Sequence, residues 1–387
     1  VTLLGLAAIT AALLYLGFLL GEAALLAWAR RRIRIVVHVN GTRGKTETTR
    51  LLAAAFRAGG LRTLAKTTGT EPWLLLPDGR EQRLRRLGAP NVREQRNLLL
   101  RAAFLRADAL VVECMAVAPE AQAASTAFLK PSILVITNAR PDHEAEQGTP
   151  EEALATFADG IPTGGLVVTA DPSIFARLAE VARVRGARSI LAQPVANSGA
   201  RIAENAGVAL AIAEHLGIGS VLALAAMRTH QADPGAFAVR RLPRSDGEIL
   251  IVDALAANDP VSTALLFQRA EARVEGRSPR LLLFTDRRDR ADRAGAFAAW
   301  IATQGDSFDS LLVAGRFSPK VRRLLEAAFP GCDSHGRSRV RQLARMDDLA
   351  LEPAGTVVFA GGNWKGHGPA LAALAPPLEE SDAGAEA

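Results

Sequence analysis

The sequence predicts an α/β protein with three parts: an N-terminal transmembrane helix, a central domain whose mostly parallel sheet surrounds a phosphate-binding loop, and a smaller C-terminal α/β domain. Three observations carry this. Leu3–Gly21 is an uncharged run of 19 residues. Ile33–Val37 leads through a glycine turn, Gly41-Thr-Arg-Gly44, into an Ala/Leu-rich helical pattern. Short apolar runs then alternate with helical stretches, and the rhythm restarts after Asp233-Pro-Gly235.

The apolar run is long enough to cross a bilayer with some tilt. Basic residues, Arg30-Arg31-Arg32, follow it instead of preceding it, which predicts an uncleaved single-pass anchor with the remainder of the chain cytoplasmic. Residues 1–32 are therefore read as anchor and basic flank, and 33–232 as the central domain. Its strands are expected at Ile33–Val39, Leu61–Ala65, Ala109–Glu113, Ser132–Thr137 and Leu166–Thr169. Helices are expected at Lys45–Ala58, Glu94–Leu105, Pro150–Asp159, Ser173–Val184, Ile202–His215 and Ser220–Arg228. Residues 233–375 repeat the pattern, with strands Glu248–Asp253, Arg280–Phe284, Ser310–Ala314 and Thr356–Ala360 and helices Asp259–Val274, Arg290–Ala302, Ser318–Ala328 and Val340–Leu349. The acidic Ala/Gly-rich tail, 376–387, lacks periodicity and is expected to be disordered.

Composition narrows the function classes. Cys114 and Cys332 are the only cysteines and have no metal-ligand spacing, which excludes a disulfide framework and predicts a reducing compartment. Of 46 basic residues, five are lysine. With no nucleic-acid recognition motif and few aromatics, the arginines point to membrane headgroups or carboxylate substrates at least as well as to nucleic acid. Eight arginines between Arg80 and Arg106, Arg86 among them, could grip a polyanion.

Chemistry concentrates at three predicted strand ends. Gly41 and Gly44 permit a tight turn whose amides face an anion, at the positive end of the next helix. Lys45 would reach the terminal phosphates and Thr46 would hold Mg²⁺. The loop is two residues shorter than the common G-x-x-x-x-G-K-[ST] form. Glu113 ends the next apolar strand on a carboxylate, a metal-ligand position beside a phosphate loop. Thr137-Asn138 then leads to Asp142-His143, which can complete a metal site or orient a phosphate.

Taken together, Gly41–Thr46, Glu113 and Thr137-Asn138 with Asp142-His143 resemble the signatures of the Mur ligase superfamily, ATP-dependent enzymes that phosphorylate a carboxylate and let an amine attack the acyl phosphate. Lys66-Thr-Thr-Gly-Thr70, Ala257-Asn258-Asp259-Pro260, Asp286-Arg-Arg-Asp289-Arg290, Gly361-Gly-Asn363 and Gly366-His-Gly368 further resemble the ligase subunit of poly-γ-glutamate synthases (PgsB/CapB type). The resemblance implies a Rossmann-like C-terminal domain. It also implies catalysis by Lys45, His143 and Glu113, and metal ligation of Mg²⁺ or Mn²⁺ by Thr46, Glu113 and His143. Nucleotide contacts would come from Gly41, Thr42, Arg43, Gly44, Lys45, Thr46, Glu47, Asn138, Asn205 and Asp253. Thr68, Arg86, Asn258, Asp259, Arg288 and Asp289 are candidate substrate residues. Two features depart from the wider superfamily: no lysine lies between Lys130 and Lys320 to be carbamylated, and no arginine stands in Asp233–Ala236.

The expected function is ATP-dependent amide ligation on glutamate or a polyglutamate chain in capsule-type polymer synthesis. Expected partners are a small multi-spanning membrane subunit and an export component. A second α/β unit closing over the nucleotide would exclude water from the acyl phosphate. A P-loop kinase or transport ATPase is one alternative, and it gives no reason for Asp142-His143 or the second α/β unit; a membrane-tethered nucleotide-binding scaffold without turnover is the other, and it would keep its role in Lys45→Ala.

Overall fold

The structure, a computed structural model, describes residues 3–69, 71–86, 91–140, 144–196, 203–230, 232–233, 235–257, 259–285, 291–315, 317–334 and 336–378. Its chain separates into two compact units, Val1–Ala232 and Asp233–Ala387.

The first unit runs α1 (Leu3–Arg32), β1 (Ile35–Asn40), α2 (Lys45–Ala58), β2 (Thr63–Thr67), β3 (Trp73–Leu75), β4 (Glu81–Arg83), α3 (Arg93–Phe104), β5 (Ala109–Glu113), α4 (Pro119–Leu129), β6 (Ile133–Ile136), α5 (Glu144–Gln147), α6 (Pro150–Ala158), β7 (Leu166–Thr169), α7 (Pro172–Val184), β8 (Arg188–Leu191), α8 (Ala203–His215) and α9 (Ser220–Arg228). Its eight strands form one sheet in the order β4-β3-β2-β5-β1-β6-β7-β8. β1 is central and parallel to both neighbours, in the registers Val39↔Glu113 and Asn40↔Ile136. Only the β2–β3–β4 hairpin strands are antiparallel.

Strand alternation explains the layering. Val37 and Val39 face one core with Leu52 and Phe56 of α2 and Ile212 of α8. Val36 faces the other core with Leu99 of α3, Val112 and Leu129 of α4. A parallel sheet covered on both faces keeps its functional groups for the edge where its strands end.

α1 is a single helix of 30 residues. Its first part is exposed, as at Leu13, Leu14 and Phe18. Its last part is not: Leu26 and Ala29 are buried, Trp28 packs on Phe104 of α3 with centroids 5.4 Å apart, and Glu22 pairs with Arg96. Arg30 donates to the carbonyls of Phe128 (2.7 Å) and Ala127 (3.0 Å), and Arg32 lies over the Trp28 ring. Within the triplet read from sequence as a membrane-flanking charge cluster, Arg30 is thus bonded to the end of α4, while Arg32 stacks on Trp28 of its own helix.

The second unit comprises β9 (Ala238–Arg244), β10 (Gly247–Asp253), α10 (Pro260–Val274), β11 (Arg280–Thr285), α11 (Ala291–Ala302), β12 (Ser310–Ala314), α12 (Pro319–Ala328), β13 (Val340–Gln342), a 3₁₀ turn (Met346–Leu351), β14 (Val357–Gly361) and α13 (Gly368–Leu374). The strand order is β13-β12-β11-β14-β10-β9, parallel except at β9. Phe359 centres one core, meeting Phe267 at 5.1 Å and Phe308 at 5.3 Å, while alternation along β10 gives Ile249 and Ile251 to the other core.

Two expectations change here. The helix expected over Val340–Leu349 is an edge strand followed by the 3₁₀ turn, because Val340 finds a ladder partner in Leu311 and such a partner overrides local helical pattern. The tail expected to be irregular from Pro376 is tied down at its start: Leu378 N–H donates to Val239 at 2.9 Å and Arg241 N–H to Pro376 at 3.0 Å. β3, β4, β8, β9, α4, α5 and α13 were not expected from the sequence; most are short or lie at a sheet edge.

Phe359→Ala should cost about 3–5 kcal/mol and lower the melting of the second unit ahead of the first, followed by calorimetry and limited proteolysis.

Candidate functional site

The loop after β1 is held by shape before it is held by charge. Gly41 has φ 116° and Gly44 φ 88°, conformations that favour glycine. A Cβ on Gly41 would lie 2.3 Å from Thr137 Oγ1, and one on Gly44 would lie 2.6 Å from Asn205 Oδ1. The strand-end residue Thr137 and Asn205 of α8 therefore form the walls of the turn, and α2 begins directly behind it.

Asn138 fixes the turn's conformation. Its Oδ1 accepts from Thr42 Oγ1 (2.6 Å) and Arg43 N–H (3.0 Å), while its Nδ2 donates to the Arg43 carbonyl (3.1 Å). Its own carbonyl accepts from Thr42 N–H at 3.1 Å. On the opposite side, Asn40 Oδ1 accepts from Gly41 N–H (2.8 Å) and its amide donates to Gln122 of α4 (2.8 Å). Asn205 is buried and donates to Glu47 Oε2 at 2.7 Å. In this structure Asn138 and Asn205 act on the loop itself.

Lys45 Nζ lies back over the turn, donating to the carbonyls of Gly41 (2.6 Å) and Thr42 (3.0 Å). Thr46 Oγ1 is 3.0 Å from both oxygens of Glu113, and Thr68 N–H donates to Glu113 Oε2 at 2.5 Å. Glu113 is 3% exposed. A hydroxyl and a carboxylate converging at a helix start supply hard oxygen donors suited to Mg²⁺ or Mn²⁺, with remaining positions left to phosphate and water. The described residues contain no cluster of three or more His, Cys, Asp or Glu groups of metal-binding geometry. His143 and Asp142 lie outside the described residues, as do Asn258, Arg288, Asp289 and the rest of Asp286–Arg290.

A group that the sequence reading names only within a motif sits beside Glu113. Lys66 is fully buried, with its Nζ 3.5 Å from Glu94 Oε2 and 3.1 Å from Met115 Sδ. Arg86 grips the same carboxylate through Nε (2.6 Å) and Nη2 (3.1 Å). Burial pushes the Lys66 ammonium down from its ordinary value, against the pull of Glu94 and Glu113. For Glu94, burial works upward, but the Arg86 bonds and the Lys66 charge win and hold the carboxyl below its usual range. The available signal was one of only five lysines standing inside a strand.

His38, on the β1 face opposite Val37, is 1% exposed. Its Nε2 is 3.4 Å from Ser125 Oγ and its Nδ1 has no partner among the described residues. Burial, assisted by the Lys66 charge, lowers its pKa from 6.5 to about 4.

In the second unit, Asp253 is fully buried. Its carboxylate accepts from Arg240 Nε (2.8 Å) and Leu255 N–H (3.2 Å). Asp259 caps α10, accepting from Ser262 N–H at 2.7 Å. Gly361–Asn363 closes over β11, with Thr285 Oγ1 donating to the Asn363 carbonyl and accepting its N–H, both at 2.8 Å.

Comparison with known proteins agrees with this geometry. Residues 39–209 match the Mur ligase middle domain and residues 239–375 the poly-gamma-glutamate synthase CapB C-terminal domain. The capsule biosynthesis protein CapB of Bacillus anthracis is 34% identical over 69% of this chain, a match that spans 60% of that relative's length. The PGA synthase CapB of Bacillus subtilis is 28% identical over 85% of this chain and 87% of its own. Among solved structures, Escherichia coli FolC in complex with ADP superposes with a TM-score of 0.64 at 16% identity, covering 90% of this chain and 92% of that one. A Yersinia pestis folylpolyglutamate synthase/dihydrofolate synthase complexed with AMPPNP and Mn gives 0.64 at 17%, covering 92% of each. At these identities the two structures establish the α/β fold.

Asn138→Ala should weaken nucleotide binding about tenfold, ~1.4 kcal/mol, measured by calorimetric titration, with the fold retained in circular dichroism. His38 is neutral in the folded chain between pH 6.5 and about 4, where the unfolded chain takes up a proton. Stability is therefore fully present above pH 6.5 and falls toward pH 4 by up to about 3 kcal/mol. Urea titrations across that range should show the loss, and His38→Gln should flatten it.

Proposed function

We propose, from the premise that this chain belongs to the Mur ligase superfamily in its poly-γ-glutamate synthase branch, that it is an ATP-dependent amide ligase joining glutamate units through an acyl phosphate. The observation that carries the reading is the convergence of Thr46, Glu113 and Asn138 on one glycine turn at the ends of three adjacent strands, β1, β5 and β6. The ADP, AMPPNP and Mn bound by the two solved neighbours support the same choice of ATP and a divalent cation, Mg²⁺ or Mn²⁺.

A carboxylate is a poor acylating agent because oxide would have to leave. Its oxygen attacks the γ-phosphorus, the bond to the bridging oxygen breaks and ADP departs. An amine nitrogen then attacks the acyl carbon, loses a proton and expels phosphate. The chain's part is positioning and neutralisation. Turn amides and the start of α2 bind phosphate oxygens. Lys45 would exchange the carbonyls of Gly41 and Thr42 for the transferring phosphoryl group. Thr46 and Glu113 would hold the cation, which when bound neutralises phosphate charge. Asn138 keeps the turn in shape, and His143 is assigned a second-metal role by resemblance.

Arg86 and Thr68 are assigned to the carboxylate substrate, with Asn258, Asp259, Arg288 and Asp289 serving the incoming amino acid. Asn205 and Asp253 are assigned to adenine and ribose. The second unit is read as Rossmann-like, and residues 1–32 as a membrane anchor whose partners are a multi-spanning subunit and an export component.

Membranes carrying the chain and its partners should release ADP and form amide only when the correct amino acid is supplied. Lys45→Ala should lower both by at least about 10³-fold. ADP release indifferent to every amino acid would instead indicate a transport ATPase, and phosphorylation of a hydroxyl a kinase.

A further inference from the structure

Gln122, in the first turn of α4, joins two loops of the candidate site. α4 turns Gln122, Ser125 and Leu129 inward, toward the face of β1 that carries Asn40, His38 and Val36. Leu129 shares a core with Val36, Ser125 Oγ is 3.4 Å from His38 Nε2, and Gln122 meets Asn40. The far end of the helix is held by α1, because Arg30 donates to the carbonyls of Ala127 and Phe128. Packing along the whole helix therefore sets where Gln122 lies, and the turn receives it already placed.

Gln122 Nε2 donates to the Val117 carbonyl at 2.9 Å, its Oε1 accepts from Asn40 Nδ2 at 2.8 Å, and Asn40 Oδ1 accepts from Gly41 N–H at 2.8 Å. A carboxamide can in general be turned end for end, but neither of these can. The Val117 carbonyl only accepts and the Gly41 amide only donates, so a single arrangement of the two side chains satisfies every contact. Both side chains are buried, and a reversed Asn40 would set its NH₂ group against the Gly41 N–H. The same peptide is pinned from its other side, where the Asn40 carbonyl accepts from Thr137 N–H (3.0 Å) and Thr137 Oγ1 (3.3 Å). It is the entry to the turn in which Gly41 takes φ 116°. Val117 belongs to the segment between β5 and α4, which begins directly after Glu113. Gln122 thus ties the segment that follows the carboxylate to the turn that would carry phosphate.

We propose that Gln122 is a positioning residue for nucleotide binding: acting through Asn40, it keeps the Gly41 turn in its binding shape and at its spacing from Glu113. The inference rests on the reading of Gly41–Thr46 as a nucleotide-binding loop. Without Gln122 the buried Asn40 amide loses its acceptor and is free to turn, and the Gly41 peptide loses the group that orients it. A nucleotide would then have to restore the turn as it binds, at a cost in affinity.

Calorimetric titration of the full chain in detergent with ADP and Mg²⁺ tests it. Gln122→Met and Asn40→Ala should each bind ADP about tenfold more weakly. The double variant should stay within about twofold of Asn40→Ala, because a relay can be cut only once. Wild-type affinity in Gln122→Met overturns the proposal and leaves the nucleotide reading standing. Losses that multiply in the double variant do the same, since the two side chains would then act independently. If Gln122→Met does not fold, Gln122→Glu at about pH 8 decides: it keeps the length, but an ionised carboxylate has no donor for the Val117 carbonyl, and binding should fall about threefold. Unchanged binding there overturns the relay. Wild-type chain that binds neither ADP nor ATP overturns the nucleotide reading and the inference together.

Discussion

The first unit depends on one close approach: the backbone of Gly41 and Gly44 against Thr137 and Asn205. Any Cβ at either glycine would enter space already filled by those side chains. A side chain at either position would push Thr137 or Asn205 away from the turn. Asn138 and Asn40 then fix the turn by hydrogen bonds from its two sides. A loop shaped this way is pre-organised, so little conformational freedom remains to be lost when phosphate binds.

Charge at the strand ends follows the same logic of enclosure. Lys66 and Arg86 share Glu94, and Glu113 lies next to them with its oxygens directed at Thr46 and Thr68. Two buried or half-buried cations balance two carboxylates, so the cluster holds together without ligand. A divalent cation at Thr46 and Glu113 would add to a local field already matched to phosphate, and low polarity strengthens each of these interactions. Neutral His38 on the same side keeps a further positive charge out of the core at neutral pH.

α1 is continuous to Arg32, and its last three turns pack on α3 and α4 through Glu22, Trp28 and Arg30.

The sequence by itself determined the strand–turn–helix order, the glycine turn between β1 and α2, the carboxylate at the end of β5 and most of the regular elements. These are local or periodic signals, set by glycine, β-branching and the spacing of apolar residues. Only the tertiary structure decided which polar groups serve the loop and which serve a ligand. Asn138 and Asn205 read as ligand contacts in the sequence, and the fold adds their bonds and packing on the turn. Asp253 reads as a strand end, and the fold adds its pairing with Arg240. Lys66 drew notice only as part of a motif, because its partners, Glu94 and Arg86, are 28 and 20 positions away. Val340 took an edge strand over a helix for the same reason, a partner distant in sequence. The bonds of Arg30 to the Ala127 and Phe128 carbonyls are likewise invisible in the order of charges along a helix, because their partners are distant in sequence.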